Sequence, residues 1–223
     1  MTALLVVLMF AVFILIDHYF RSAKQPVVKI EPASFLEKPS LPPSPVVGGF
    51  RVPDHLRYHP GHTWALSESP TLVRVGMDEF AAKLVGKIER ITLPQRGQWV
   101  RQGQKIWTVF HGGESVDMLS PIEGQVTDIN EAAISDPDQA RKDPYSDGWL
   151  VAVHSPDAKI NLRNLLSGAL ARAWTEQCAA RLRAMLPSPA GALAQDGGVA
   201  IDDLSFQLSN RHWASVSKEF FLS

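Results

Sequence analysis

The stretch from Gln98 to Asn130, QWVRQGQKIWTVFHGGESVDMLSPIEGQVTDIN, constrains the fold of this chain more than any other. Val100, Ile106, Val109, Met118, Ile122, Val126 and Ile129 are apolar positions in short runs. Gly97, Gly103 and Gly124 interrupt those runs where tight turns are needed. At the apex stands HGGES, His111 to Ser115. Two adjacent glycines accept positive φ, which is what a two-residue hairpin turn demands. The stretch therefore reads as strand pairs on either side of a hairpin tip, and that tip carries no lysine.

Around it the pattern is again one of short β runs. Trp64 to Leu66, Leu72 to Val75, Lys87 to Leu93, Ile106 to Phe110 and Gln125 to Ile129 are strand candidates, and Trp149 to Val153 returns to strand after a polar loop, Asp136 to Asp147. Met77 to Leu84 has helical spacing instead, with Phe80, Ala81 and Leu84 on one face. Many short strands with turn signals predict a small barrel or sandwich.

Five blocks then occur in order: RYHPGHTWAL (Arg57 to Leu66), VGMDEFAAKLVGKIERITLP (Val75 to Pro94), GQWVRQGQKI (Gly97 to Ile106), SPIEGQVTDINEA (Ser120 to Ala132) and DPYSDGWL (Asp143 to Leu150). Together they resemble the glycine cleavage system H protein, a barrel-sandwich hybrid domain of the lipoyl type. The resemblance runs from about Tyr58 to Pro156 and implies two packed antiparallel sheets related by a pseudo-twofold. It also implies a question of cofactor. In that family lipoate is amide-linked to a lysine in an ESVK-type hairpin, around which several enzymes dock. Counting back from Ser120-Pro121 places Gly113 at the lysine position, whereas matching Glu114-Ser115-Val116 places Asp117 there. Neither side chain is an amine that a ligase could acylate, and Lys87, Lys105 and Lys142 lie elsewhere. The resemblance thus implies the shape of an H protein without its swinging arm, and no cofactor is expected.

The amino terminus differs from everything after it. Ala3 to Ile16 carries no charge, and a helix over residues 1–20 would be roughly 30 Å long, about the thickness of a bilayer core. A cleaved signal peptide would begin with Lys or Arg and end in small residues, and a core helix would be odd ahead of a linker. A membrane anchor is the reading adopted. Arg21, Lys24 and Lys29 follow the span, so the positive-inside rule places the bulk of the chain in the cytoplasm. Pro26, Pro32, Pro39, Pro42, Pro43 and Pro45 make the next segment an extended linker. The expected organisation is an anchor over 1–20, a linker over 21–49, a barrel-sandwich domain over 50–160 and a helical extension over 161–223.

A formal net charge of -1 gives no electrostatic case for nucleic acid as a partner. The single cysteine, Cys178, reads as a small apolar residue on a helix. His55, His59 and His62 would suit zinc only on a helix, which Pro60 and Gly61 prevent, so a structural role is expected. His111 and Glu114 could form an acid–base pair, but an exposed turn offers no pocket to tune them. The aspartates at 136, 138, 143 and 147 do not match a calcium-binding loop.

After the barrel, Leu162 to Leu186 reads as a helix with Asn164 as N-cap and a stripe of Leu166, Leu170, Trp174, Cys178, Leu182 and Met185. A second helix is expected over Arg211 to Phe221, with Trp213, Val216 and Phe220 on one face. These stripes either pack on their own domain or face another protein. The fold expected is mainly β, a barrel-sandwich hybrid with an N-terminal transmembrane helix and a C-terminal helical extension. The function expected is that of a non-catalytic, membrane-anchored accessory or scaffold subunit whose partners are the bilayer and other protein subunits. Its docking surface would draw on His111, Gly112, Gly113, Glu114, Asp117, Trp174, Trp213, Phe220 and Phe221. A lipoyl-independent carrier or a small-ligand sensor is the alternative.

Overall fold

A computed structural model describes residues 44–185 and 210–222. The expected membrane anchor and most of the proline-rich linker lie outside the described residues. Among the described residues no helix is long and apolar enough to cross a membrane.

A small hairpin of β1 (Val46–Val47) and β2 (Phe50–Arg51) leads into β3 (Arg57–His59), β4 (Thr63–Ser67) and β5 (Leu72–Met77). Then come α1 (Glu79–Val85), β6 (Arg90–Thr92), β7 (Trp99–Val100), β8 (Lys105–His111), β9 (Glu114–Leu119) and β10 (Gly124–Ile129). Two short helices, α2 (Glu131–Ser135) and α3 (Gln139–Lys142), precede β11 (Val151–His154). The chain ends in α4 (Ala158–Arg163), α5 (Gly168–Met185) and α6 (Asn210–Phe221).

All strand pairs are antiparallel, in a six-stranded sheet of order β3-β4-β5-β11-β10-β7 and a three-stranded sheet of order β6-β8-β9. Val73, Val75, Val126 and Val153 from the first and Ile106, Val109, Val116 and Met118 from the second share one buried cluster. Inward and outward residues alternate along the strands, as a sandwich requires, except at the irregularities between Lys105 and Trp107 and between Val126 and Asp128. The expected sandwich is therefore present; the candidate strands differ from expectation mainly at their ends, and β1, β2 and β3 lie outside the candidate runs. The run Lys87 to Leu93 pairs only over β6, because Gly86 ends α1 and the chain must still cross to the second sheet.

Helix α1 is buried along its whole length, so it acts as a plug rather than a surface helix. Asp78 caps it, with Oδ1 accepting from Ala81 N at 2.8 Å. The conspicuous DPYSDGWL block has a structural task. Tyr145 Oη accepts from Glu79 N at 2.9 Å and donates to Arg51 O at 2.7 Å, joining the start of α1 to β2. Pro144 O accepts from Trp64 Nε1 at 2.9 Å.

Two expectations for the tail need correction. Asn164 is the C-cap of α4 and not an N-cap, since the chain makes a bridge between Leu166 and Tyr58 before α5 begins at Gly168. The buried face of α5 is Ala171, Thr175, Cys178, Ala179 and Leu182, while Leu170 is 62% exposed. Helix α5 comes so close to the β1–β2 turn that a Cβ on Gly48 would stand 2.5 Å from Ala179 Cβ. Small residues, not large ones, are what that approach selects.

Candidate functional site at the hairpin and the carboxyl-terminal helix

The β8–β9 hairpin closes with His111 opposite Glu114 and the two-residue turn Gly112-Gly113, at φ 52° and 80°. Positive φ at both central residues is the turn whose twist matches antiparallel strands. Gly112 and Gly113 are exposed, and a Cβ at either would meet nothing within 4 Å. Gly112 N donates to Glu89 Oε1 at 3.2 Å. Of the two positions that sequence registers offer for a family lysine, Gly113 stands at the tip. Asp117 lies down the shaft of β9, where Lys105 Nζ reaches its Oδ1 at 2.7 Å and Thr108 Oγ1 donates to the same oxygen at 2.7 Å. Burial works to raise the Asp117 carboxyl, but these two hydrogen bonds hold it below the usual carboxylate range. The lysine of this hairpin is thus engaged on the shaft, and the tip has no amine.

His111 is not on an open turn. Its ring lies buried against Trp213 of α6, centroids 4.3 Å apart and edge to face. Phe220 packs on Phe80 of α1 at 5.1 Å, and Phe221 and Phe220 each lie 6.2 Å from the ring of His62. Arg181 of α5 fastens the arrangement, donating to Glu219 Oε1 at 2.9 Å. So α6 lies along the hairpin, the plug helix and α5 together. Trp213, Phe220 and Phe221 are buried by their own domain and offer no exposed docking surface; Trp174 is half-buried. The physical reason is that a large apolar ring gains roughly 1.5–3 kcal/mol on burial, and the plug helix and hairpin supply the facing groove.

Beneath α6 is a polar group that sequence reading did not assemble. His62 is fully buried at φ 61°, a backbone region uncommon for a side-chain-bearing residue. Its Nδ1 is 2.8 Å from Asp78 Oδ2, and Asp78 N donates to His62 O at 3.1 Å. The ring is stacked on Phe80 at 4.2 Å and tilted against Trp174 at 4.6 Å. Burial would push the imidazole down. The charge and hydrogen bond of Asp78, helped by the Cys178 thiol, reverse that and raise it to about 9. Nε2 has no hydrogen-bond partner at ordinary distance, so the thiol acts on the ring only as a weak neighbour. Cys178 Sγ itself accepts from Arg181 Nη2 at 3.3 Å. The pair follows from the register of the β4–β5 hairpin, which the sequence alone does not set. Thr63 faces Met77 across β4 and β5, so one step outward places His62 against Asp78.

The other candidates disperse. His59 Nδ1 accepts from Gly61 N at 3.0 Å, His62 is taken by Asp78, and His55 is exposed. Asp138 is paired with Arg141 at 2.6 Å and Asp136 with Lys142 at 3.5 Å. Among the described residues no three metal-ligating side chains converge. An imidazole held by a carboxylate beside a thiol has the make-up of a nucleophilic site. Here, however, His62 is buried beside Phe220 and Phe221, Cys178 is buried as well, and the group ties the start of β4, α1 and α5 together.

The sequence profile described as glycine cleavage H-protein matches residues 56–177. The chain is 37% identical over 124 residues to the glycine cleavage system H protein of Prochlorococcus marinus (strain MIT 9303), covering 54% of this chain and 92% of that relative. It is 34% identical over 107 residues to the H protein of Alteromonas mediterranea, covering 48% of this chain and 83% of the relative. The crystal structure of a glycine cleavage system H protein from Mycobacterium marinum aligns with a TM-score of 0.49 at 27% identity, over 56% of this chain and 98% of that one. Since the profile spans more than half of the 223 residues, the chain belongs to the glycine cleavage H-protein family.

Proposed function

We propose that this protein is a non-catalytic scaffold subunit, anchored to the membrane through residues 1–20, in which the H-protein-like domain serves for docking and not for carrying an acyl or aminomethyl group. The observation that carries this reading is the hairpin tip. Gly112 and Gly113 stand there in the open, and the hairpin's lysine, Lys105, is ion-paired to Asp117 on the shaft. A carrier needs a nucleophilic amine on a mobile arm, and a glycine pair supplies none. The flank of the hairpin supports the same reading, because α6 covers it with Trp213 in cis.

The docking residues then differ from those that sequence alone suggested. Trp99 on β7 and Ile160 on α4 are 52% and 60% exposed and line one small cleft with Pro156. An exposed tryptophan beside an aliphatic side chain is the composition of an interface anchor. Cells grown with isotope-labelled lipoate test the carrier question directly. No label is expected in any peptide of this protein, and a labelled peptide would reinstate the carrier.

A further inference from the structure

Where α4 meets β3, the end of β4 and the turn after it, these elements border a cleft of about 620 Å³. That is the size of a small-molecule site. Its floor is apolar, made by Ala65, Leu66, Pro70, Ala158 and Leu162. Its rim carries Arg57 from β3 and Lys159 and Arg163 from α4, with His55 beside them, and among the described residues no carboxylate lines it. Three acids adjoin the lining in sequence: Asp54 pairs with Arg172, Glu68 pairs with Arg74, and Asp157, just before α4, lines the separate cleft beside Trp99. Arg57, Lys159 and Arg163 therefore face the cleft without an ion-pair partner among the described residues. Three cations around one depression, left unneutralised while Arg51, Arg74, Arg96, Arg141, Arg172 and Arg181 are all paired, set up a local positive potential.

We propose that this cleft binds an amphiphilic anion, a molecule with a short apolar body and a terminal phosphate or carboxylate. The body lies on Leu66, Pro70 and Leu162, and the anionic head is held by the guanidinium groups of Arg57 and Arg163, whose planar donor forks suit phosphate and carboxylate oxygens. Lys159 adds a point charge. The same chemistry belongs to a soluble organic acid and to the headgroup of an anionic lipid. The site is separate from the hairpin and requires nothing of the scaffold reading.

The test is calorimetric titration of the full chain in neutral detergent with hexyl phosphate and hexanoate, with hexylammonium as the control of opposite charge. Saturable binding of the two anions at one site, weakened by added salt and absent for hexylammonium, is the expected result. Arg57→Ala combined with Arg163→Ala should weaken binding at least tenfold. Ser67→Glu, an exposed lining position, should do the same by placing a carboxylate at the rim, with the thermal melt of both variants unchanged. Competition by phosphatidate added to the micelle would assign the site to a lipid headgroup, and failure to compete would assign it to a soluble acid. The proposal is overturned by the absence of saturable anion binding, by equal binding of hexylammonium, or by variants that bind like the parent.

Discussion

At the scale of single residues, His62 makes stability depend on pH. Its imidazole sits at about 9 in the folded chain against 6.5 for an ordinary histidine, because desolvation of the buried ring is outweighed by Asp78 and the Cys178 thiol together. A raised folded value means that the native state holds the proton more tightly. The stabilisation is therefore complete below about pH 6.5 and disappears as pH rises through about 9, with a full extent on the order of 3 kcal/mol. Melting temperature should fall across that window. Asp78→Asn keeps an oxygen to cap α1 but removes the charge, so its difference from the parent should be largest near pH 6 and shrink by pH 9; a constant difference would refute the assignment. A second residue-scale prediction concerns the tip. Gly113→Ala meets no neighbour, so its cost is conformational alone, about 1 kcal/mol of unfolding free energy by denaturant titration. The glycine turn was legible from HGGES, since only that pair of residues suits the geometry. The His62–Asp78 pair was not, because it depends on the exact register of two strands and on what lies above them.

At the scale of elements, α6 is the part of the tail whose packing matters most. Its span and its face of Trp213, Val216 and Phe220 were legible in the sequence, because large apolar residues at helical spacing leave little ambiguity. The target of that face was not legible, and it turned out to be the chain's own plug helix and hairpin. Phe220→Ala should cost about 3–5 kcal/mol, measured by urea unfolding, through the cavity left against Phe80 and His62. Helix α5 gives the opposite lesson. Its buried face joins Cys178 and Leu182 of the expected stripe to Ala171, Thr175 and Ala179, which a search for large apolar residues passes over, whereas Leu170 points to solvent. Leu170→Ser should accordingly change stability by less than about 0.5 kcal/mol. A loss comparable to that of Phe220→Ala would mean that Leu170 is covered by something beyond the described residues.

At the scale of the whole molecule, the sandwich was readable because short alternating runs, glycine turns and five ordered sequence blocks all pointed to one architecture. Partners were not, since a fold constrains a docking surface without naming what docks there. The scaffold account places the contact at Trp99 and Ile160, away from the hairpin. Trp99→Glu should leave the melting temperature of the isolated protein nearly unchanged and release its partners, whereas retention of partners would move the interface elsewhere. The most direct test of the central claim is mass spectrometry of the native protein purified from membranes in mild detergent, reading its intact mass and the stoichiometry of what it retains. The account predicts an unmodified polypeptide in fixed ratio with integral membrane subunits. A lipoylated polypeptide, or a monodisperse one that works alone, would contradict it.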